Sequence, residues 1–211
     1  MRKNQVMNQS MSLWMAWAKD GVLSGKLREL NVPDYITELP AEAFADCESL
    51  EYVNFSPNIK IIGEGAFRNC NSLKSIVIPE GTVLKPGAFS NCRNLTYVIL
   101  SGEHLNSLAS AFEGCKAVSS VTVTGGDAVM ESDEDMRSGL NLFTKLSTIK
   151  FMRKVRKVDE SVFANFMNLR TVIMSPNNPV YRQAEGNQSI VERETGRLIY
   201  SDYLCGANEV R

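Results

Sequence analysis

The chain has 211 residues, 44% of them hydrophobic and 22% charged, which suits a folded protein with one substantial core or two small ones. Lys and Arg number 23 against 24 Asp and Glu, and the net charge of −1 gives no general pull toward nucleic acid or an anionic membrane surface. No apolar run approaches the ~20 residues that a membrane-spanning helix needs, so neither a transmembrane segment nor a nucleic-acid partner is expected.

Residues 1–25 admit two readings. Arg2 and Lys3 ahead of the apolar stretch from Met11 to Ala18, with Ala16-Trp17-Ala18 at its end, have the form of an export segment. Asn4, Gln5, Asn8, Gln9 and Ser10 make the stretch before it too polar for that, and favour a cap on the first turn of the fold. The first strand signal is Leu27-x-x-Leu30-x-Val32, closed by Pro33, which has no N–H to donate.

A repeat then takes over. Phe44, Phe67, Phe89 and Phe112 each follow an alanine and precede a cysteine by three residues, at Cys47, Cys70, Cys92 and Cys115. The phenylalanines are 23, 22 and 23 residues apart, and weaker copies surround Phe143 and Phe163. After each copy comes an L-x-x-L-x-L strand signal, as in Leu50-x-x-Val53-x-Phe55, Leu73-x-x-Ile76-x-Ile78, Leu95-x-x-Val98-x-Leu100 and Val118-x-x-Val121-x-Val123. The fifth copy, read from Ile149 and Met152, meets Lys154 where an apolar residue is expected, and Leu169-x-x-Val172-x-Met174 closes the series. One such turn cannot bury its own apolar edge, whereas stacked turns share a continuous core. Neighbouring strands then pair in parallel, and the Ala-Phe-x-x-Cys segments form short helical turns opposite, with the phenylalanines stacked into a spine.

From Phe112 to Phe143 the spacing is 31, which places about eight inserted residues near 125–139. They include the acidic run Glu131, Asp133, Glu134 and Asp135. The strand after it holds Lys150, Arg153, Lys154, Arg156 and Lys157, which suit an anionic partner or the acidic run itself; the second reading is preferred because the two lie one turn apart.

The run from Ile59 through Gly63, Ala66, Phe67 and Cys70 to Ile78-Pro79 resembles the BspA-type (Treponema pallidum-type) leucine-rich-repeat family of bacterial surface proteins. So does the tail, from Asn178-Pro179 through Tyr181 and Gly186-Asn187 to Gly196 and Leu198-Ile199, read as a hairpin of 189–193 with 197–201. The resemblance covers about residues 26 to 200. It implies a secreted or surface location and adhesion to a host or neighbouring-cell protein.

The cysteines are read as core. Copies five and six put Leu146 and Phe166 at their position, and a site accepting Cys, Leu or Phe wants a buried apolar group. No C-x-x-C pair suggests a metal, and Cys205 lies outside the ladder. His104, the single histidine, sits in a loop and suits an exposed or capping place, since nothing marks a nucleophile and carboxylate beside it. No phosphate-binding glycine motif occurs, so no cofactor is expected.

The sheet's outward side is the candidate site. Alternation along each strand puts Tyr52, Ser75, Tyr97, Ser120, Phe151 and Thr171 in one column, and Asn54, Val77, Ile99, Thr122, Arg153 and Ile173 in the next. Exposed aromatic and β-branched side chains in a stripe suit partner contact, although such residues also favour strands for their own sake. The partner residues nominated are Tyr52, Asn54, Val77, Tyr97, Ile99, Thr122, Phe151 and Arg153.

The reading is an α/β leucine-rich-repeat solenoid of about seven turns. Its parallel sheet lines the concave face, with short helical turns opposite and a C-terminal β-hairpin. Residues 1–25 form the cap or export segment, 26–175 the solenoid and 176–211 a closing hairpin and tail. Its function is protein binding without catalysis or cofactor. A self-associating homodimer or an intracellular scaffold is the alternative.

Overall fold

A computed structural model describes residues 2–129, 143–163, 168–184 and 189–201. They fall into two compact units. The first runs to Leu95 and takes in Ser110–Cys115; the second holds Thr96–Ala109 and the described residues from Lys116 onward. The acidic run, Phe166 and Cys205 lie outside the described residues.

The first unit contains α1 (Arg2–Leu23), β1 (Glu29–Asn31), β2 (Glu38–Leu39), β3 (Tyr52–Asn54), β4 (Ile61–Ile62), β5 (Ser75–Val77) and β6 (Val83–Leu84). Each turn gives a strand to two parallel ladders, β1-β3-β5 and β2-β4-β6. Leu30, Val53 and Ile76 share one rung and are buried, while Glu29, Asn31, Tyr52 and Asn54 face solvent. The period-two pattern of the sequence therefore becomes one dry face and one wet face. The second ladder has no counterpart in the sequence pattern, because two-residue strands are too short to show alternation.

At the Ala-Phe segments the chain turns sharply. Ala43, Ala66 and Ala88 donate N–H bonds three residues back, to Pro40, Gly63 and Lys85, at 3.3, 3.2 and 3.1 Å. These are single turns and not continuous helix, because the next amides point to the neighbouring turn instead. The Phe44, Phe67 and Phe89 amides donate to the carbonyls of Ala66, Ala88 and Ala111 at 2.7, 2.8 and 2.8 Å. The residue before each cysteine has positive φ: Asp46 61°, Asn69 62°, Asn91 58° and Gly114 78°. Asn, Asp and Gly tolerate this left-handed region best, which explains the restricted column at that place in the repeat.

Inside the turn the four phenylalanines are fully buried and stacked, with centroids 5.5, 5.3 and 5.0 Å apart from Phe44 to Phe112. The thiols run beside them. Cys70, Cys92 and Cys115 donate to the carbonyls of Phe44, Phe67 and Phe89 at 3.2, 3.2 and 3.0 Å. The cysteine thus supplies a small apolar body and a weak donor that reaches the turn before it. α1 continues the spine: Trp14 meets Phe44 edge-on at 5.9 Å, and Ala18 and Val22 are buried. Lys19 Nζ donates to the Glu42 carbonyl at 3.2 Å, and the Ser49 hydroxyl donates to the Val22 carbonyl.

The second unit has four parallel strands in the order β7 (Tyr97–Leu100), β8 (Ser120–Ala128), β9 (Thr148–Val158) and β10 (Thr171–Met174). A 3-10 segment, Gly102–Ser107, follows β7. His104 caps it and is buried: its Nδ1 accepts the Ser101 N–H at 3.2 Å, and its backbone N–H donates to the Ser101 carbonyl at 3.1 Å. β8 and β9 reach 9 and 11 residues, with register shifts between Val123 and Gly125 and between Gly126 and Asp127. Such bulges bend a strand and re-aim its side chains.

The C-terminal part is an antiparallel sheet in the order β11 (Tyr181–Gln183), β12 (Ile190–Glu192) and β13 (Leu198–Tyr200). The hairpin expected from 189–201 is present, and β11 joins it along β12. Asn178 and Tyr181 pin the sheet to β9. Asn178 Nδ2 donates to the carbonyls of Met152 and Val155 at 3.2 and 2.8 Å, its Oδ1 accepts from the Val180 and Tyr181 amides at 2.9 Å, and Val158 N–H donates to the Tyr181 hydroxyl at 2.9 Å. Gln183 closes the edge of β10: its Nε2 donates to the Val172 carbonyl at 2.9 Å and its Oε1 accepts the Met174 N–H at 3.3 Å. A neighbouring strand in a parallel ladder would use these same two groups, so one side-chain amide replaces a peptide unit.

Candidate functional site

The outward faces of β1-β3-β5 in the first unit and of β7 to β10 in the second hold most of the nominated side chains. In the first unit Tyr52 is in register with Glu29 and Ser75, and Asn54 with Asn31. Asn54 Nδ2 donates to Glu29 Oε1 at 2.7 Å and to Asn31 Oδ1 at 2.8 Å, so the polar groups are tied to one another. Beside them Arg28 and Lys74 both pair with Glu51, and these hydrogen bonds hold its carboxyl below the usual range. Lys74 Nζ lies 5.5 Å over the Tyr52 ring. Tyr52 is 41% exposed and Val77 51%.

In the second unit Tyr97, Ser120, Thr148 and Thr171 form one rung, and Ile99, Thr122, Lys150 and Ile173 the next. Tyr97 and Ile99 are half-buried and Ile173 is exposed. Thr122 faces outward but is only 5% exposed, because the Tyr97 hydroxyl closes over it in a 2.9 Å hydrogen bond.

Phe151 corrects the sequence reading. Alternation counted from Met152 places it in the outward column, but it is 1% exposed, in register with the buried Val123 and edge-on to Phe163 at 6.0 Å. The fault lies in the anchor of the fifth copy. Leu146 N–H bonds the Phe143 carbonyl at 2.8 Å, as Leu50, Leu73 and Leu95 bond Cys47, Cys70 and Cys92. Phe143 therefore occupies the cysteine place, and the strand signal is Leu146-x-x-Ile149-x-Phe151. The outward places belong to Thr148 and Lys150, while Arg153 is exposed beyond them. The signal was available, since Leu146, Ile149 and Phe151 fit the pattern that Ile149 and Met152 failed at Lys154. The same shift shortens the irregularity: Cys115 to Phe143 is 28 residues, about five more than a regular turn.

The four ladder cysteines are fully buried. Burial pushes the Cys47 thiol up from 9.0 to about 11 and the Cys70 thiol further, while a hydrogen bond with Cys115, together with burial, raises Cys92 most. Protonated, buried thiols of this kind are poor nucleophiles. Among the described residues, no group of three or more His, Cys, Asp or Glu could hold a metal, and no helix is long and apolar enough to cross a membrane. A shallow groove of about 410 Å³ on the first unit contains Glu42, Glu64 and Arg68, but Arg68 is already held by Glu42 at 3.0 Å.

The model of the BspA type leucine-rich-repeat region matches residues 23–133 and 137–184 in six copies. Among solved structures, the chain is similar to a leucine rich cell surface protein from Faecalibacterium prausnitzii, at 30% identity over 57% of this chain and 30% of that one, with a TM-score of 0.45. It is likewise similar to a leucine-rich-repeat protein from T. pallidum, at 30% identity over 56% of this chain and 60% of that one, with a TM-score of 0.43. The chain thus spans 30% and 60% of the lengths of these two proteins. No curated protein matches the sequence.

Proposed function

The chain belongs to the BspA-type leucine-rich-repeat family, and from that premise we propose that it is a protein-binding module that a bacterium secretes or displays on its surface. Its role on this reading is adhesion to a host or neighbouring-cell protein. The observation that carries the reading is the outward strand face. Tyr52 and Val77 in the first unit and Ile173 in the second are exposed apolar side chains; Ser75, in register with Tyr52, and Thr122 and Lys150, in the rung of Ile173, show that polar residues serve equally well at such places. Aromatic and branched apolar groups set among bonded polar ones are the usual anchors of a protein interface. Catalysis is no part of the reading, because Asn54 is bonded to Glu29 and Asn31, the Tyr97 hydroxyl to Thr122, and the four ladder thiols are buried.

Affinity capture from host and bacterial extracts tests it, with Tyr52→Ala/Val77→Ser and Tyr97→Ala/Ile99→Ser variants as controls. A partner retained by the native chain and lost with either pair supports the reading. A partner held equally by all three forms sinks it. Recovery of the chain alone, with a dimer in sedimentation, favours self-association.

A second reading, in which the chain keeps its N-terminus and stays inside the cell, draws on α1. Cleavage near Ala18 would remove Trp14 from Phe44 and strip the first turn of its cover. N-terminal sequencing of the native protein tests this: a start near Lys19 overturns the retained cap.

A further inference from the structure

Strand β9 contains four buried apolar residues, Ile149, Phe151, Val155 and Val158, which account for its packing. Between and beside them Arg153, Lys154, Arg156 and Lys157 are exposed, and Lys150 is half-buried. None of the five forms an ion pair among the described residues. At ~3.3 Å per residue, five cations crowd into roughly 25 Å of strand and repel one another. The parallel ladder does not ask for that charge, since Thr122 and Ile173 stand in register with Lys150, and Gly125 with Lys154. The bulges opposite Gly125 and Gly126 also leave three successive residues, 152–154, exposed, where regular alternation would bury one of them. The irregularity thus brings Arg153 and Lys154 to the surface together, beside Met152.

We propose that this stretch of β9 binds a linear polyanion bearing sulfate or phosphate groups. Arg153 and Arg156 offer planar forks that match two oxygens of a tetrahedral anion, and the lysines add point charges around them. Two observations set the class. An acidic peptide cannot add here as a strand, because the free edge of this part of β9 is taken by Asn178 at Met152 and Val155 and by Tyr181 at Val158. Nucleic-acid bases find no stacking platform, because the aromatic residue of the strand, Phe151, is buried. Beside Lys154 the neighbouring strand offers Gly125, which has no side chain to obstruct a polymer there, while the exposed Asp127 stands in register with Lys157 and leaves Arg153, Lys154 and Arg156 as the main contacts.

The test is a titration of the full chain with a heparin oligosaccharide and with inorganic polyphosphate. Polyglutamate and a single-stranded oligonucleotide of equal charge serve as comparisons, at about 50 and about 200 mM salt. Binding by either tetrahedral-oxyanion polymer, tighter than both comparisons and falling with salt, is expected; which of the two binds more tightly identifies sulfate or phosphate as the source. Arg153→Glu/Arg156→Glu should lower affinity at least tenfold, and Lys154→Gln/Lys157→Gln provides a milder variant if the first fails to fold. Tyr52→Ala/Val77→Ser should leave this binding unchanged, which separates it from the protein-binding face. Absence of binding, equal binding of polyglutamate or the oligonucleotide, or wild-type affinity in a folded charge variant overturns the proposal. So does binding that appears only after Glu131, Asp133, Glu134 and Asp135 are changed to their amides, because the chain's own acidic run would then be the occupant.

Discussion

Replacing Phe67 by alanine tests the stacked core most directly. Phe67 is fully buried, lies 5.5 Å from Phe44 and 5.3 Å from Phe89, and meets Phe55 edge-on at 5.8 Å. Truncating a buried phenylalanine costs roughly 3–5 kcal/mol in lost transfer energy and residual cavity. The cavity here should not collapse readily, because the amides of Phe44, Phe67 and Phe89 fix the spacing of the turns on either side. A loss of about 4 kcal/mol is a large share of the roughly 5–15 kcal/mol that holds a domain together. With a urea slope of about 2 kcal/mol per molar, the midpoint should fall by about 2 M. Phe67→Leu keeps most of the volume but forfeits two stacked pairs, at roughly 0.5–1.5 kcal/mol each, and should fall between the two. Tryptophan fluorescence reads the transition in the right unit, since Trp14 packs on Phe44. A midpoint shift below about 0.5 M for Phe67→Ala, with unchanged slope, would refute a shared aromatic core.

Three further outcomes are expected. Cys47 is held protonated by burial, with its titration raised from 9.0 to about 11. The unfolded chain therefore loses that proton first, so the stabilisation is complete below pH 9 and disappears as pH rises toward 11; across that window the wild type should lose stability relative to Cys47→Val, and a constant gap in urea midpoint would contradict the burial argument. At Gly63 an added Cβ would lie 2.6 Å from the Leu39 carbonyl oxygen and from Pro40 C, backbone atoms of the preceding turn that cannot swing aside. Gly63→Ala should accordingly cost about 1–3 kcal/mol in thermal unfolding, and an unchanged melting point would mean that the turns are not in such contact. Gln183→Ala leaves the Val172 carbonyl and the Met174 amide without their partner. That edge should then pair with another copy, visible as concentration-dependent association in sedimentation, and a strictly monomeric variant would show that the edge is closed by other means.

The sequence by itself determined the repeating parts. The 22- and 23-residue spacing, the Phe and Cys columns and the strand signals all describe one turn, and each turn packs on a near copy of itself. Interactions that recur at a fixed interval leave a mark at that interval. The residues before the cysteines, Asp46, Asn69, Asn91 and Gly114, recur at the same interval, but their positive φ was found in the structure and not read from the sequence. What only the tertiary structure decided begins where the period breaks. A strand buries alternate residues, so its inward set follows from the anchor that begins the count, and the anchor of β9 depends on Phe143 standing in a place where the earlier turns have cysteine. That choice put Phe151 inside and left Thr148 and Lys150 facing out. Thr122 stands on the face that alternation assigns it, yet it lies under the Tyr97 hydroxyl, a contact between residues 25 apart. The partners of Asn178 in β9 and of Gln183 in β10 are likewise distant in sequence and occur once, and a contact made once has no periodic trace to be read.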